Sequence, residues 1–419
     1  MLINKLKYTA LERLGSLPKL KSHLKFGYRL IGSIASNAIF RPKFSSGYEI
    51  QKFGKEEVET FFGYYDKSPL NYSESKVLYH RIKTGTWKKP QPNMPIEIVV
   101  EDFNNGRELM SIKSQAYNWQ QGSRTHWLDN KTFIFNDFDS TTNSYVSKIV
   151  CLDTGKETRI DRPIYETSGT NIGLSLDFRL LMRYNPDYGY SNLPFTDYIP
   201  DDDYLIHKVN LSNGHSHGII PTKKVRSFLL DNHPNYKGQQ IWVNHIMASP
   251  NGSRFIFTAR FEYNNRRIDS LFSYSFDQDS LSHHPTGSIV SHYSWLNNES
   301  IIVYMKSCKG DRSFFKYNLS KDLYEKIDLP GMTKDGHPST LGNMIVIDSY
   351  PSFGGFKNLY LLNISTLQAS KLGRFYERLR YFGSCRCDLH PRFSMSGKFI
   401  FFDSVHQGNR KLYSLKMAK

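Results

Sequence analysis

The sequence predicts an all-β fold: a seven-bladed β-propeller with a short basic helical extension at its N-terminus. Three observations carry this. Units of a polar turn followed by a short aromatic strand recur along the chain, at His126–Phe138, Ala248–Phe261, Ser294–Met305 and His390–Asp403. Tyr (27) and Phe (28) are abundant in the 419 residues while Ala is sparse, and aromatic side chains favour strands. No helical pattern alternates with the strands, which argues against a parallel α/β sheet. The repeat is irregular at roughly fifty residues, within the range of propeller blades, so about 370 residues make about seven of them.

Residues 1–45 come first. The stretches LINKLKYTALERLG and KLKSHLKFGYRLIGSIA space their apolar residues helically among many Lys and Arg. Residues 2–40 therefore read as a basic amphipathic helix, able to lie on an anionic membrane face or to pack on the propeller. From 46 to 419 the texture is that of one propeller domain. Phe61–Ile82 supplies a loop, a turn and a strand. SKIVCLDTG, DSLFSYSFD, SFFKYNLS, KNLYLLNIST and RKLYSLK supply second strand pairs closed by turns such as Asp153-Thr154-Gly155. Asn192–Asn235 is polar and rich in turn residues, and reads as containing a long loop over one face. The last unit is the most complete. A turn around Gly397 leads into the strand Phe399–Asp403, and Gln407-Gly408-Asn409 turns the chain into a return strand over Lys411–Leu415.

The charge narrows the partners. Lys and Arg number 55 against 39 Asp and Glu, a formal net charge of +16. Such a balance favours an anionic partner, a membrane face or an acidic polysaccharide; nucleic acid is not expected, since no recognition motif accompanies the charge. No run of eighteen apolar residues marks a transmembrane helix, and the N-terminus lacks the pattern of a signal peptide, so the expected location is cytoplasmic or peripheral to the inner membrane. Cys151, Cys308, Cys385 and Cys387 are too few for a disulfide scaffold, and reduced thiols or a metal ligand are expected.

Two constellations can carry chemistry. His126, His245, His292, His337 and His390 each stand at the same phase of a blade repeat, where inner strands and their entry segments converge on the axis. Imidazole is the commonest metal ligand, and such a cluster with Cys387 or Asp388 suits zinc or a similar divalent ion. His215, His217, His283 and His284 read as exposed loop residues. The second constellation gathers Gln120, Gln121, Arg124 and His126 with Arg162–Tyr165 and Leu176–Tyr190. Arg pairs with carboxylates, amides bind hydroxyls and aromatic rings stack on sugars, so this mixture suits an acidic sugar.

The run NWQQG…HW…FNDF, RPIY followed by LDFR and PDYGY, VNH before a strand, DGH…MIVIDSYP…LYLL, RCDLHPRFSMSGKFIFFDS and the opening GYYDKSP resemble the propeller ulvan lyases over residues 58–417. Oligogalacturonate lyases look like more distant relatives. The resemblance implies a propeller that cleaves a uronate-containing polysaccharide by β-elimination, with a bacterial capsule or O-antigen as a coherent setting. It implies His126 as catalytic base or acid, Arg179 as the group neutralising the carboxylate, and Tyr165 or Tyr188 as a proton donor or acceptor with a lowered pKa. Gln120, Gln121, Arg124, His245 and Tyr190 would bind the sugar. His245, His337, Cys387 and His390 would hold a divalent metal, whether zinc, manganese or calcium. Two positions depart from the family: Tyr145–Lys148 replaces a segment with a second His, and Pro338 follows the Gly-His pair where the family has Cys. A catalytically silent propeller that binds an acidic glycan or a polysaccharide-biosynthesis partner is the alternative. A glycoside hydrolase would need a pair of carboxylates, and none stands out.

Overall fold

A computed structural model describes residues 18–39, 44–332 and 334–417. Its seven antiparallel sheets are the blades of a propeller. Blades 1 to 5 run in chain order over residues 59–114, 126–160, 166–221, 242–284 and 290–327, and each is a four-stranded meander. Blades 6 (339–376) and 7 (392–416) each take a further outer strand from the N-terminus. Phe44–Ser46 pairs with Ala369–Tyr376, and Ile50–Lys52 pairs with Lys411–Lys416, Ile50 opposite Leu415. These two pairings close the ring. The expected domain boundary at residue 45 falls inside Phe44–Ser46.

Alternation of side chains makes each blade apolar on both faces, and the seams between blades fill with apolar clusters, the largest running through blades 3, 4 and 5. Phe53, Phe62, Val77, Tyr79, Phe401 and Leu412 join blades 7 and 1. Val346, Leu359, Leu389, Phe402 and Tyr413 join blades 6 and 7. The strand Phe399–Ser404, anticipated over 399–403, serves both seams, since Phe401 faces one cluster and Phe402 the other. Burying one such ring contributes about 2–3 kcal/mol.

The helix α1, Pro18–Ile39, packs on the loops of blade 6. Arg29 is buried against Glu377 at 2.9 Å, and Ser33 Oγ lies 2.7 Å from the Tyr376 hydroxyl. Gly32 sits on the Phe353 carbonyl, where an added Cβ would come within 1.8 Å of the oxygen. Leu20, Leu24, Ile31 and Ile34 lie on the opposite, exposed face. Among the described residues no helix is long and apolar enough to cross a membrane. The rest of the helix expected over 2–40 lies outside the described residues.

Two local expectations are corrected. Asn192–Asn235 holds the outer hairpin of blade 3, Tyr204–Asn210 and Ser216–Pro221, and a helix, Thr222–Asn232. The polar turns around YLIHKVN hid its strand character; the expected long loop is present as the end of the connection over 176–203, and it stops at residue 203. His283 and His284 belong to the strand Ser280–His284, where His284 is buried between Ser273 Oγ (2.7 Å) and Asp322 Oδ1 (2.6 Å). All four cysteines are free thiols.

Candidate metal centre and surrounding site

The inner strands of blades 4 and 5, Trp242–Ala248 and Val290–Trp295, each break register against their neighbours. A bulge re-aims the side chain it carries. His245 sits in the first irregularity with φ of 56°, and His292 in the second. His390, at the entry to blade 7, also has a left-handed backbone, with φ of 44°. Left-handed backbone at a non-glycine residue costs on the order of 1–3 kcal/mol and is retained where the surroundings hold a side chain in place.

With His337, at the entry to blade 6, these distorted positions bring four histidines from four blades together. Ring centroids are 5.3 Å apart for His245 and His292, 4.3 Å for His292 and His337, and 4.3 Å for His337 and His390. Tyr64 and Tyr65 insert among them from the segment that follows the first strand of blade 1, Glu59–Phe61. Tyr64 stacks on His245 at 5.5 Å and meets His390 edge-on at 5.0 Å, while Tyr65 lies 5.6 Å from His337.

His337, Asp388 and His390 converge most closely, with one potential ligand atom from each lying within 4.8 Å of the others. His337 donates from Nδ1 to Asp348 Oδ1 at 2.8 Å, and His390 donates from Nδ1 to the Gly63 carbonyl at 2.7 Å. Both Nε2 atoms are buried without a partner. A carboxylate or carbonyl holding one nitrogen while the other aims at open space is the usual arrangement of a metal-binding histidine. Two imidazoles and a carboxylate fit a divalent cation. Burial works against the charged form of His337, yet the Asp348 carboxylate outweighs it and raises the pKa. His390 is pushed well below the usual range by burial and by the charge of His337. Burial also opposes ionisation of Asp388, but Lys357 and Arg386 hold it well below the ordinary carboxylate range.

Cys387, expected among the metal ligands, faces the other way. Its side chain packs with Tyr381 and Val405, and burial pushes its thiol up to about 12. Neighbouring side chains of an extended segment point to opposite sides, so Asp388 occupies the position expected of Cys387. His245 lies beside this grouping rather than in it: its Nδ1 shares a 2.7 Å hydrogen bond with the Tyr64 hydroxyl.

The QQG segment is a tight turn whose amides brace the centre. Gly122 has φ of 59°, and a Cβ there would lie 2.1 Å from the His80 ring. Gln121 Nε2 donates to the Tyr165 hydroxyl at 2.8 Å, which donates to Asn244 Oδ1 at 2.9 Å, next to His245. Gln120 Nε2 donates to the Arg386 carbonyl at 2.9 Å. Arg124 lies over the Tyr165 ring at 4.4 Å and forks onto Asp66 at 2.8 and 3.3 Å.

His126 has both nitrogens engaged, Nδ1 donating to the Arg124 carbonyl at 2.9 Å and Nε2 accepting from Thr167 Oγ1 at 2.8 Å. Burial, aided by Lys67 and Arg124, lowers its pKa to about 3, so it is neutral and braced. Arg179 is half-exposed in the short helix Phe178–Tyr184 and pairs with Asp177 at 2.9 Å. Tyr190 stacks on Phe178 at 4.2 Å and accepts from Asn136 Nδ2 at 2.9 Å, within the core. Tyr188 alone of that segment reaches the cluster, 5.5 Å from His245 and 5.8 Å from Tyr64. Burial raises the pKa of both Tyr165 and Tyr188, the reverse of the expected lowering, so both hydroxyls stay protonated. Lys148, at the departure from the family pattern, pairs with Asp137 at 2.9 Å.

The sequence reading missed the residues that orient the histidines. Asp348 ends a strand, Asp335 accepts from His292 Nδ1 at 3.1 Å, and Lys357 is buried in the strand Phe356–Asn363. A Lys inside an otherwise apolar strand is the one local signal that could have pointed to a buried partner.

The fold and the axial cluster define a seven-bladed propeller with a candidate divalent-cation centre. No family model and no curated protein matches the sequence. Among solved structures, an oligogalacturonate lyase in complex with manganese is similar over 90% of this chain and 94% of its own, with a TM-score of 0.62 and 16% identity. An oligogalacturonate lyase from Vibrio parahaemolyticus covers 90% and 97%, with a TM-score of 0.60 and 15% identity. A chain of the mitotic checkpoint complex covers 91% and 94% at a TM-score of 0.50 and 9% identity. At these identities the likeness is one of fold. It runs to the oligogalacturonate lyases, which the sequence resemblance had placed as the more distant relatives.

Proposed function

We propose that the protein is a polysaccharide lyase cleaving a uronate-containing acidic polysaccharide by β-elimination. The observation that carries this reading is the grouping of His337, Asp388 and His390, with orphaned imidazole nitrogens, beside the Asp335-oriented His292. The manganese complex of a fold neighbour supports a cation there, and its substrate class supports a uronate. A divalent cation held by the three ligands would supply positive charge against the uronate carboxylate.

The chain's own residues do the rest. Asp335 accepts the Nδ1 proton of His292, which leaves the lone pair on Nε2. Burial keeps that imidazole below its ordinary pKa and so neutral. His292 takes the proton from C5 of the uronate, the electron pair forms the C4–C5 double bond, and the bond from C4 to the linking oxygen breaks. The protonated Tyr188 hydroxyl delivers a proton to the departing oxygen. No water is consumed.

Incubation with polygalacturonate, ulvan and bacterial capsular polysaccharides, followed by ultraviolet absorbance of the unsaturated uronate, tests the reading. His292→Ala should lower the rate by about 100-fold or more, while Arg179→Ala should leave it near that of the wild type. A flat trace with glycan binding retained would instead indicate a silent, glycan-binding propeller. New reducing ends without absorbance would indicate hydrolysis.

A further inference from the structure

We propose that the groove between blades 4 and 5 is an extended cleft for the neighbouring acidic sugars of a polyanionic chain; the identity of that chain rests on the uronate reading above. The groove has a volume of about 620 Å³ and is lined by Arg266, Arg267, Lys306 and Arg312, with Tyr263 and Asn264, and by no carboxylate. That volume is in the range of ligand clefts.

Topology puts the groove and the histidines on one face. The lining comes from the hairpin joining Arg254–Tyr263 to Arg266–Ser275, from the end of Ser300–Lys306 and the start of Arg312–Asn318, and from residues 288 and 289, which enter the inner strand of blade 5. In a four-stranded meander, the turn between the second and third strands emerges on the same face as the segment entering the first. His337 and His390 occupy such entering segments, ahead of Ser339–Leu341 and Arg392–Phe393.

One carboxylate connects the two places. Asp269 pairs with Arg267 at 2.8 Å and with the buried Arg260 at 3.0 Å, and accepts from the Val290 backbone at 3.2 Å, on the strand that carries His292. Arg260 lies 3.5 Å from Asn185, in the loop that carries Tyr188. Arg267 thus stands between the groove and the cluster. Arg267 is partly offset by Asp269, and with Arg266 and Lys306 beside it the groove keeps an excess of positive charge that bound anions would balance. Guanidinium forks match carboxylates.

The test uses the full chain, the double variant Arg266→Glu/Lys306→Glu, and the conservative Arg266→Lys/Lys306→Arg. Sodium polygalacturonate, dextran sulfate and neutral dextran are the probes in affinity electrophoresis and calorimetry. The wild type should bind polygalacturonate, lose affinity as salt rises and ignore neutral dextran. The charge-reversed variant should bind at least about tenfold more weakly with an unchanged Tm, and the conservative variant should retain affinity. Equal binding by wild type and the reversed variant overturns the proposal, as does equal retention on neutral dextran. Retention on dextran sulfate alone overturns the assignment to uronate carboxylates. Binding does not require turnover, so the two readings can fail separately. A charge-dependent cleft with no unsaturated product leaves the cleft standing and removes the lyase. Turnover of polymer by the reversed variant with wild-type KM removes the cleft and leaves the lyase.

Discussion

Lys357 places its ammonium 3.1 Å from Asp388 Oδ1, with both side chains almost completely buried. The same ammonium lies 2.7 Å from Glu377, which also receives Arg29 of α1 at 2.9 Å. The carboxylate of the candidate metal centre is therefore held charged by a cation from blade 6, and that cation is shared with the carboxylate that docks the N-terminal helix.

Removing the shared cation should expose the dependence. Lys357→Met leaves Glu377 and Asp388 buried with fewer opposing charges, and breaking a buried pair from one side costs about 3–5 kcal/mol. Denaturant unfolding should report a loss of that order. A loss under about 1 kcal/mol would show that water replaces the ammonium.

The imidazole geometry predicts a metal-linked stability. Chelation should lower the Tm of wild-type protein, and metal analysis should find a divalent ion that His337→Ala and His390→Ala cannot retain. Asp348→Asn keeps both ligands but loosens the orientation of His337, so metal affinity should fall by about 10–100-fold. An identical Tm with and without chelator in wild type and variants would contradict the assignment.

Gly122 sets the conformation of the QQG turn. Gly122→Ala meets both a left-handed φ of 59° and the His80 ring at 2.1 Å. Strain and overpacking each cost about 1–3 kcal/mol. The variant should unfold at lower denaturant, and glycan binding should weaken because Gln120 and Gln121 brace Arg386 and Tyr165.

Stability should fall steeply in mild acid. His80, His126 and His406 have folded pKa values lowered to about 3, mainly by burial, from an ordinary 6.5. The unfolded chain therefore binds more protons than the folded one between those values. The contribution of these three groups is full above about pH 6.5 and declines as pH drops towards 3, by up to about 1.4 kcal/mol per pH unit for each group. Asp66, lowered through Arg124 and Lys67 despite burial, acts in the same sense at lower pH. Glu166, raised by burial, acts in the opposite sense. Urea midpoints at pH 7 and pH 5 should differ clearly; equal midpoints would refute this balance.

Much of the architecture was legible because it is local. A polar turn with Gly397 followed by FIFF marks a strand by its own residues, although pairing on both sides makes it one, and repetition of that unit implies a ring of blades. The common phase of the histidines was legible for the same reason, because a blade repeat carries its inner strand to the axis wherever it occurs. What each side chain does there was decided by the tertiary structure. Whether Cys387 or Asp388 faces the axis depends on the local twist of an entering segment, and whether His126 is free depends on Thr167 in the next blade. The role of Asp348 as a partner of His337 depends on adjacent chain segments packing at a fixed register. The closing strands Phe44–Ser46 and Ile50–Lys52 find partners more than 300 residues away. The sequence by itself determined strands, turns and their repetition, which follow from short-range sterics and side-chain alternation. Tertiary structure decided ligands, ion pairs and protonation, because these depend on distances between groups that the chain brings together only when the ring closes.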